Sequence, residues 1–276
     1  MCAALSLLAL GLIAGFLLWE GGSVFEATSP GGLLGGRWWF PTSDPPSFGL
    51  LPMIVGSALV TCGALALAVP LGIGVALFVA EVAPARLRDP CKVVVEILAG
   101  IPSVVYGFFG LLVLIPWLQR TLGLPTGQTA LAASMILGTM ALPTVASIAE
   151  DAVTAVPSSW REASLALGAT RWQTVLGVVL SAARPGILAA VLLGLGRAVG
   201  ETMAVLMVSG NSPVFPPSFL RPVRTLTATL ALEMAEVVVG SPHYHALFAA
   251  GGVLFLFTLT LNLAGELVGR RVRREG

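Results

Sequence analysis

Lysine is almost missing from this chain: Lys92 is the single one among 276 residues. Charge of either sign is scarce, at 11% of residues, where an ordinary soluble domain carries about 25%. With 56% hydrophobic residues and a mean hydropathy of +0.93, the chain reads as a polytopic membrane protein. The net charge of +1 leaves no basic stripe to neutralise phosphodiesters, which excludes nucleic acid as a partner. The three cysteines, Cys2, Cys62 and Cys91, are scattered and form no CxxC or Cys/His cluster, so neither a disulfide framework nor a structural zinc site is expected. His243 and His245 flank Tyr244 with no carboxylate or third histidine close in sequence, and read as surface residues rather than metal ligands. GxxxxGK[ST], HExxH and GxSxG are all missing, so no nucleotide loop, zinc peptidase or hydrolase elbow is expected. No cofactor is expected either, and ATP hydrolysis, if it drives this protein, belongs to another chain.

What is abundant is long apolar sequence. Six spans are expected, at residues 3–19, 51–80, 93–118, 129–148, 186–209 and 246–268, within a single transmembrane domain covering 1–276. The first lacks a basic leader and a clear small-residue cleavage motif, and reads as a membrane helix rather than a signal peptide. The second is too long for a straight crossing, and Pro70 is expected to kink or divide it. The third contains Gly100-Ile101-Pro102-Ser103, a helix break. Such breaks persist in membranes only where protein or a wet cavity satisfies the freed backbone.

Basic residues set the orientation. Arg86, Arg88, Lys92, Arg161, Arg171, Arg184, Arg270, Arg271, Arg273 and Arg274 fall on one side, against Arg37, Arg120, Arg221 and Arg224 on the other. The first side should be cytoplasmic, with both termini inside. On the outer side, 21–48 reads as an irregular loop with aromatic interface anchors, and 211–224 is Pro-rich. Residues 225–239, with Glu233 and Glu236, read as a short helix lying at the outer surface or dipping into a cavity rather than a seventh span.

Arg197 and Glu201 stand within the apolar stretch 186–209. A charge near the centre of a membrane helix costs roughly 2.5–3.5 kcal/mol. Four residues apart, the two are expected on one helical face, serving an ion path or gate, or forming a structural ion pair. Gly194, Gly196 and Gly200 surround them. Their GxGxxxG spacing, with no preceding strand, suits close helix packing rather than nucleotide binding. Ser103 and Tyr106 either line a path or pack. Asn262 and Glu266 end the last span, with Glu266 expected at the interface.

The longest cytoplasmic connection, 150–184, turns at Val156-Pro157-Ser158-Ser159 and restarts as a helix. Ser158 or Ser159 is expected to cap it, and Glu162 stands in capping-box spacing from Ser159. Ala163, Ser164 and Ala166 permit close approach of another surface. Gly168 supplies the positive φ for a sharp exit. Trp172 and Leu176 are placed to fill an apolar pocket on a partner. Glu162 serves either as a cap or as a docking contact.

The run Glu162-Ala163-Ser164, followed after three residues by Gly168, resembles the EAA loop of ABC-transporter permeases, with Ser164 at the third small position and Ser181 where that pattern has proline. AGIPSVVYGFFG at 99–110, GATRWQT at 168–174 and RAVGETMAVLMVSGN at 197–211 are similar to the phosphate-specific (Pst) ABC importer permeases. RAVGETMAV favours the PstC-type subunit over the PstA-type one. The likeness runs from about Phe40 to the C-terminus, and the segment before the first span looks shorter than usual. The resemblance implies an all-α type I ABC importer permease of six transmembrane helices in the bacterial inner membrane, with inorganic phosphate as substrate. It implies a PstA-type permease, PstB-type ATPases and a periplasmic PstS-type binding protein as partners, besides the lipid bilayer. It places Arg197, Glu201, Ser103 and Tyr106 in the path or its gating, and Glu162, Ala163, Ser164 and Gly168 in coupling to the ATPase. The alternatives are a permease for sulfate or molybdate, or a non-transporting membrane scaffold or sensor.

Overall fold

The computed structural model describes the backbone of residues 2–275 and the side chains of residues 5–265, and helices dominate it. α1 (Cys2–Gly22) is followed by α2 (Pro30–Gly35) and a small antiparallel ribbon of β1 (Trp39–Phe40) and β2 (Ser47–Phe48). Then come α3 (Leu51–Leu77), prolonged by a π turn at Phe78–Val82, and α4 (Ala85–Gly100). α5 (Ser103–Phe109) and α6 (Ile115–Leu122) are joined by a π turn, and α7 (Ala130–Thr154) follows. The short helices α8 (Ser158–Ala166), α9 (Arg171–Thr174) and α10 (Leu180–Ala182) lead to α11 (Arg184–Gly200) and α12 (Met203–Val208). The chain ends with α13 (Leu226–Glu233) and α14 (Pro242–Glu275). The side chains of Cys2, Glu266, Arg270, Arg271, Arg273 and Arg274 lie outside the described residues.

Among the described residues, five stretches are long and apolar enough to cross a bilayer: Leu5–Glu26, Leu51–Val82, Ser103–Leu122, Ala130–Thr154 and Pro242–Gly265. A sixth is reached when Arg171–Ala182 and Arg184–Gly200, bent by 68°, count as one crossing. Of the two outcomes expected at Pro70, division does not occur, because α3 runs through it. Two further expectations are corrected. The apolar stretch expected from 93 begins at Ser103, because Pro102 offers no N–H and the extended Ile101 ends α4. The stretch 186–209 is two helices, interrupted at Glu201 and Thr202.

Contacts group the chain into two units. One holds the segments up to Val60, Gly107–Ser134 and Gly200–Thr260. Its core joins Val24, Leu33, Trp39, Phe48, Leu50 and Met53 to Leu226 and Leu247. The segment 21–48 is therefore not an irregular surface loop. Val24, Leu33, Trp39 and Phe48 are core, Trp39 only 1% exposed, whereas Phe25, Leu34, Trp38 and Phe40 stay exposed. Backbone bonds from Leu50 N–H to Leu33 O at 2.7 Å and from Gly49 N–H to Trp38 O at 2.8 Å fold it back on itself.

The other unit holds Thr61–Tyr106, Met135–Val199 and the residues from Leu261 onward. Here α7 lies between α3 and α11, and small residues set the spacing. A Cβ on Gly138 would lie 3.0 Å from Ala64 O, and one on Gly194 would lie 2.7 Å from Val145 Cγ2. The α11 contact face is Gly186, Ala190, Gly194 and Ala198, repeating every four residues, with both alanines buried. Of the three glycines expected to pack, Gly194 does. Gly200 has no neighbour within 4 Å of a built Cβ.

Candidate functional site

The break between α4 and α5 collects three of the expected site residues. A helix leaves its last carbonyls without partners. Leu98 O would ordinarily receive the N–H of residue 102, which is proline. The Tyr106 hydroxyl donates to Leu98 O instead, at 2.9 Å. The next carbonyl, Ala99 O, accepts from Arg197 Nη2 at 3.4 Å. Arg197 Nη1 donates to Thr144 Oγ1 on α7 at 2.9 Å. A cation at a helix C-terminus is favoured by the helix dipole as well as by these bonds. Arg197 is part-buried, Tyr106 is buried and Ser103 opens α5 just beyond the break. The two bonds use two of the five guanidinium N–H donors.

Glu201 does not share a helical face with Arg197, because α11 stops at Gly200. Thr202, at φ −115° and ψ −60°, interrupts the regular i, i+4 geometry. Glu201 Oε1 accepts the N–H of Ala204 at 3.1 Å, capping α12, and its carbonyl accepts from Thr227 Oγ1 at 2.9 Å. A carboxylate at a helix start is electrostatically favourable.

The connection 150–184 folds as two short helices around a tight turn. Pro157, not a serine, precedes α8, and no side-chain cap forms there. The capping box is instead at Thr170 and Gln173, where each side chain bonds the other residue's N–H. Gly168 has φ +87°, and the N–H groups of Gly168 and Ala169 close the turn onto Leu165 O and Ser164 O. The Ser164 and Thr174 hydroxyls pair at 2.9 Å, tying α8 to the end of α9. Glu162 and Ala163 are exposed, and among the described residues Glu162 makes no hydrogen bond or ion pair. Around them Trp160, Leu165, Leu167, Trp172 and Leu176 are exposed, Leu167 at 90%. Exposed apolar side chains among polar ones suit an interaction surface. Gly168→Val places a β-branched side chain at that positive φ, a cost of about 1–2 kcal/mol. Limited proteolysis is expected to cut faster between α8 and α9, with cleavage elsewhere unchanged.

Two charge clusters escaped the sequence reading. Glu150, 7% exposed, takes Lys92 Nζ on one oxygen and Thr154 Oγ1 on the other, both at 2.9 Å. The hydrogen bond to Glu150 holds the Lys92 ammonium above its ordinary 10.5, against the opposing effect of burial. A lysine raised in this way contributes stability below its ordinary value and loses it only as pH rises through the raised one, so the pair persists at neutrality. The second cluster centres on Glu233. Its carboxylate accepts from Trp39 Nε1 at 2.9 Å, meets His243 Nε2 at 2.8 Å and pairs with Arg224. His245 contacts Glu20, at 2.9 Å from its carbonyl and 3.4 Å from its carboxylate. Both histidines are thus part-buried partners of acids, Glu233 ten residues from His243 and Glu20 far from His245 in sequence, rather than surface residues. Sequence spacing held no signal for these contacts.

Against known proteins, a family model described as binding-protein-dependent transport system inner membrane component matches residues 68–274. The chain is 45% identical over 228 residues to the probable ABC transporter permease protein YqgH of Bacillus subtilis, covering 81% of this chain and 74% of that one. It is 40% identical over 258 residues to the phosphate transport system permease protein PstC of Mesorhizobium japonicum, covering 86% and 78%. Among solved structures, an inward-facing MetNI methionine ABC transporter chain superposes with a TM-score of 0.62 at 20% identity, covering 81% of this chain and 97% of that one. The last likeness is one of fold.

Proposed function

This chain belongs to the family of binding-protein-dependent transport system inner membrane components, and from that membership we propose that it is the PstC-type permease subunit of an ATP-driven importer of inorganic phosphate. The observation that carries the choice of anion is the likeness to the Mesorhizobium phosphate permease over most of both chains. The protein is a multi-pass membrane protein. Its proposed setting is the bacterial inner membrane with both termini cytoplasmic, supported by the distribution of basic residues. A PstS-type binding protein delivers phosphate from outside, a PstA-type permease completes the path, and PstB-type ATPases supply the work.

The exposed patch on α8 and α9 suits docking to an ATPase, with Glu162, Ala163, Ser164 and Gly168 as its coupling residues. Arg197 is assigned to transient phosphate contact or gating. Its planar fork suits an oxyanion, and its unspent donors leave it capacity for one. Ser103, Tyr106 and Glu201 belong to the same path, Tyr106 by shaping the α4–α5 break. Transport requires weak, releasable contact, and sharing Arg197 with Ala99 O and Thr144 keeps it from becoming a trap.

Glu162→Lys is expected to release the ATPase, read as loss of its co-purification with the permease pair. Deleting the chain from its host is expected to abolish the corresponding phosphate uptake. Normal uptake in the deletion strain favours the scaffold or sensor reading. Uptake of sulfate or molybdate lost in place of phosphate assigns another oxyanion.

A further inference from the structure

Glu81 stands in the π turn that prolongs α3, and Arg161 stands in the first half of α8. Arg161 Nη2 lies 2.7 Å from Glu81 Oε1, and Arg161 Nε donates to the same oxygen at 3.1 Å. Nη2 also donates to Val153 O at 2.9 Å, and Nη1 donates to Val156 O. Val153 lies in the last turn of α7, and Val156 just beyond it. One guanidinium therefore ties three segments: the end of α3, the end of α7 and α8. Its next neighbour in sequence, Glu162, points the other way chemically, exposed and without a partner among the described residues.

An isolated surface ion pair is worth little, because solvent screens it and both side chains stay mobile. This one differs. The Arg161 and Glu81 side chains are 23% and 13% exposed, and four hydrogen bonds hold one rigid plane. A guanidinium donates in fixed directions and does not swivel as an ammonium does. Displacement of α8 is thus passed to two long helices through a joint with little slack. The Val153, Val156, Val179 and Ala183 cluster packs beneath the same turn, and Leu77 and Ala80 pack against it, so the joint is backed by apolar contact.

We propose that Arg161 is a positioning residue for energy coupling: through Glu81 and the α7 carbonyls it transmits movement of α8 to α3 and α7. This rests on the reading of residues 150–184 as the segment that meets the ATPase. The test uses the complete transporter reconstituted in liposomes, with phosphate uptake and ATP hydrolysis measured together. Glu81→Gln removes the ion pair and leaves both carbonyl bonds of Arg161 in place, so the fold of the loop is kept. The ATPase is expected to remain bound and active while phosphate moved per ATP falls about fivefold or more. Arg161→Lys keeps the charge and loses the fork, and is expected to give an intermediate ratio. A purely structural role lowers yield or melting temperature and leaves that ratio alone. A wild-type ratio in Glu81→Gln overturns the strut while the coupling loop stands. A wild-type complex that holds no ATPase overturns the reading beneath it, and the strut with it.

Discussion

Arg197→Ala is expected to cut phosphate uptake at least about tenfold, with the permease pair and ATPase still assembling. Truncation removes the donor for Ala99 O and the donor for Thr144 Oγ1. An unsatisfied part-buried carbonyl costs about 1–3 kcal/mol, small enough for the fold to survive and large enough to disturb the α4–α5 break. Two further variants separate the functions of this side chain. Arg197→Gln keeps a donor for the carbonyl and loses the charge, whereas Arg197→Lys keeps the charge and loses the fork. A role toward phosphate requires Lys to retain more uptake than Gln. A role confined to capping α4 lets either residue serve, and equal uptake in the two removes Arg197 from the path.

Glu233→Ala is expected to give the largest loss of stability. The carboxylate holds Trp39, Arg224 and His243, which come from the segment after α2, the approach to α13 and the start of α14. Removing it strands the Arg224 charge, whose side chain is 16% exposed, and the Nε1–H of Trp39, a residue 1% exposed. Breaking a buried pair from one side costs about 3–5 kcal/mol, and the residual exposure places this case near the lower end. The purified protein should melt at a clearly lower temperature. Glu233→Gln, which still accepts from Trp39, should lose less. A melting temperature unchanged in Glu233→Ala removes the hub from the account of this unit.

The sequence made the class of fold legible for a simple reason. Long apolar runs and sparse charge leave a chain few options but membrane helices, and the motifs at 99–110, 168–174 and 197–211 carried the family. Gly168 was legible because a glycine just past a short helix suits the positive φ of a sharp exit, which it has. Local periodicity failed where a helix broke without proline. Nothing in GRAVGETMAV signals that Glu201 leaves the helix to cap the next one, since an i, i+4 pair looks the same in either case. The segment 21–48 misled by composition: its Gly, Pro and Trp suit a loop, yet Trp39 and Phe48 are core. The Glu233 hub and the Arg161–Glu81 joint join residues far apart in sequence, and no spacing rule reaches them.

The most direct test is uptake of labelled phosphate by the purified transporter in liposomes, with binding protein and ATP supplied on their proper sides. Accumulation that requires ATP and this chain, and that excess sulfate or molybdate leaves intact, is the predicted result. No accumulation, or accumulation abolished by those anions, would contradict it.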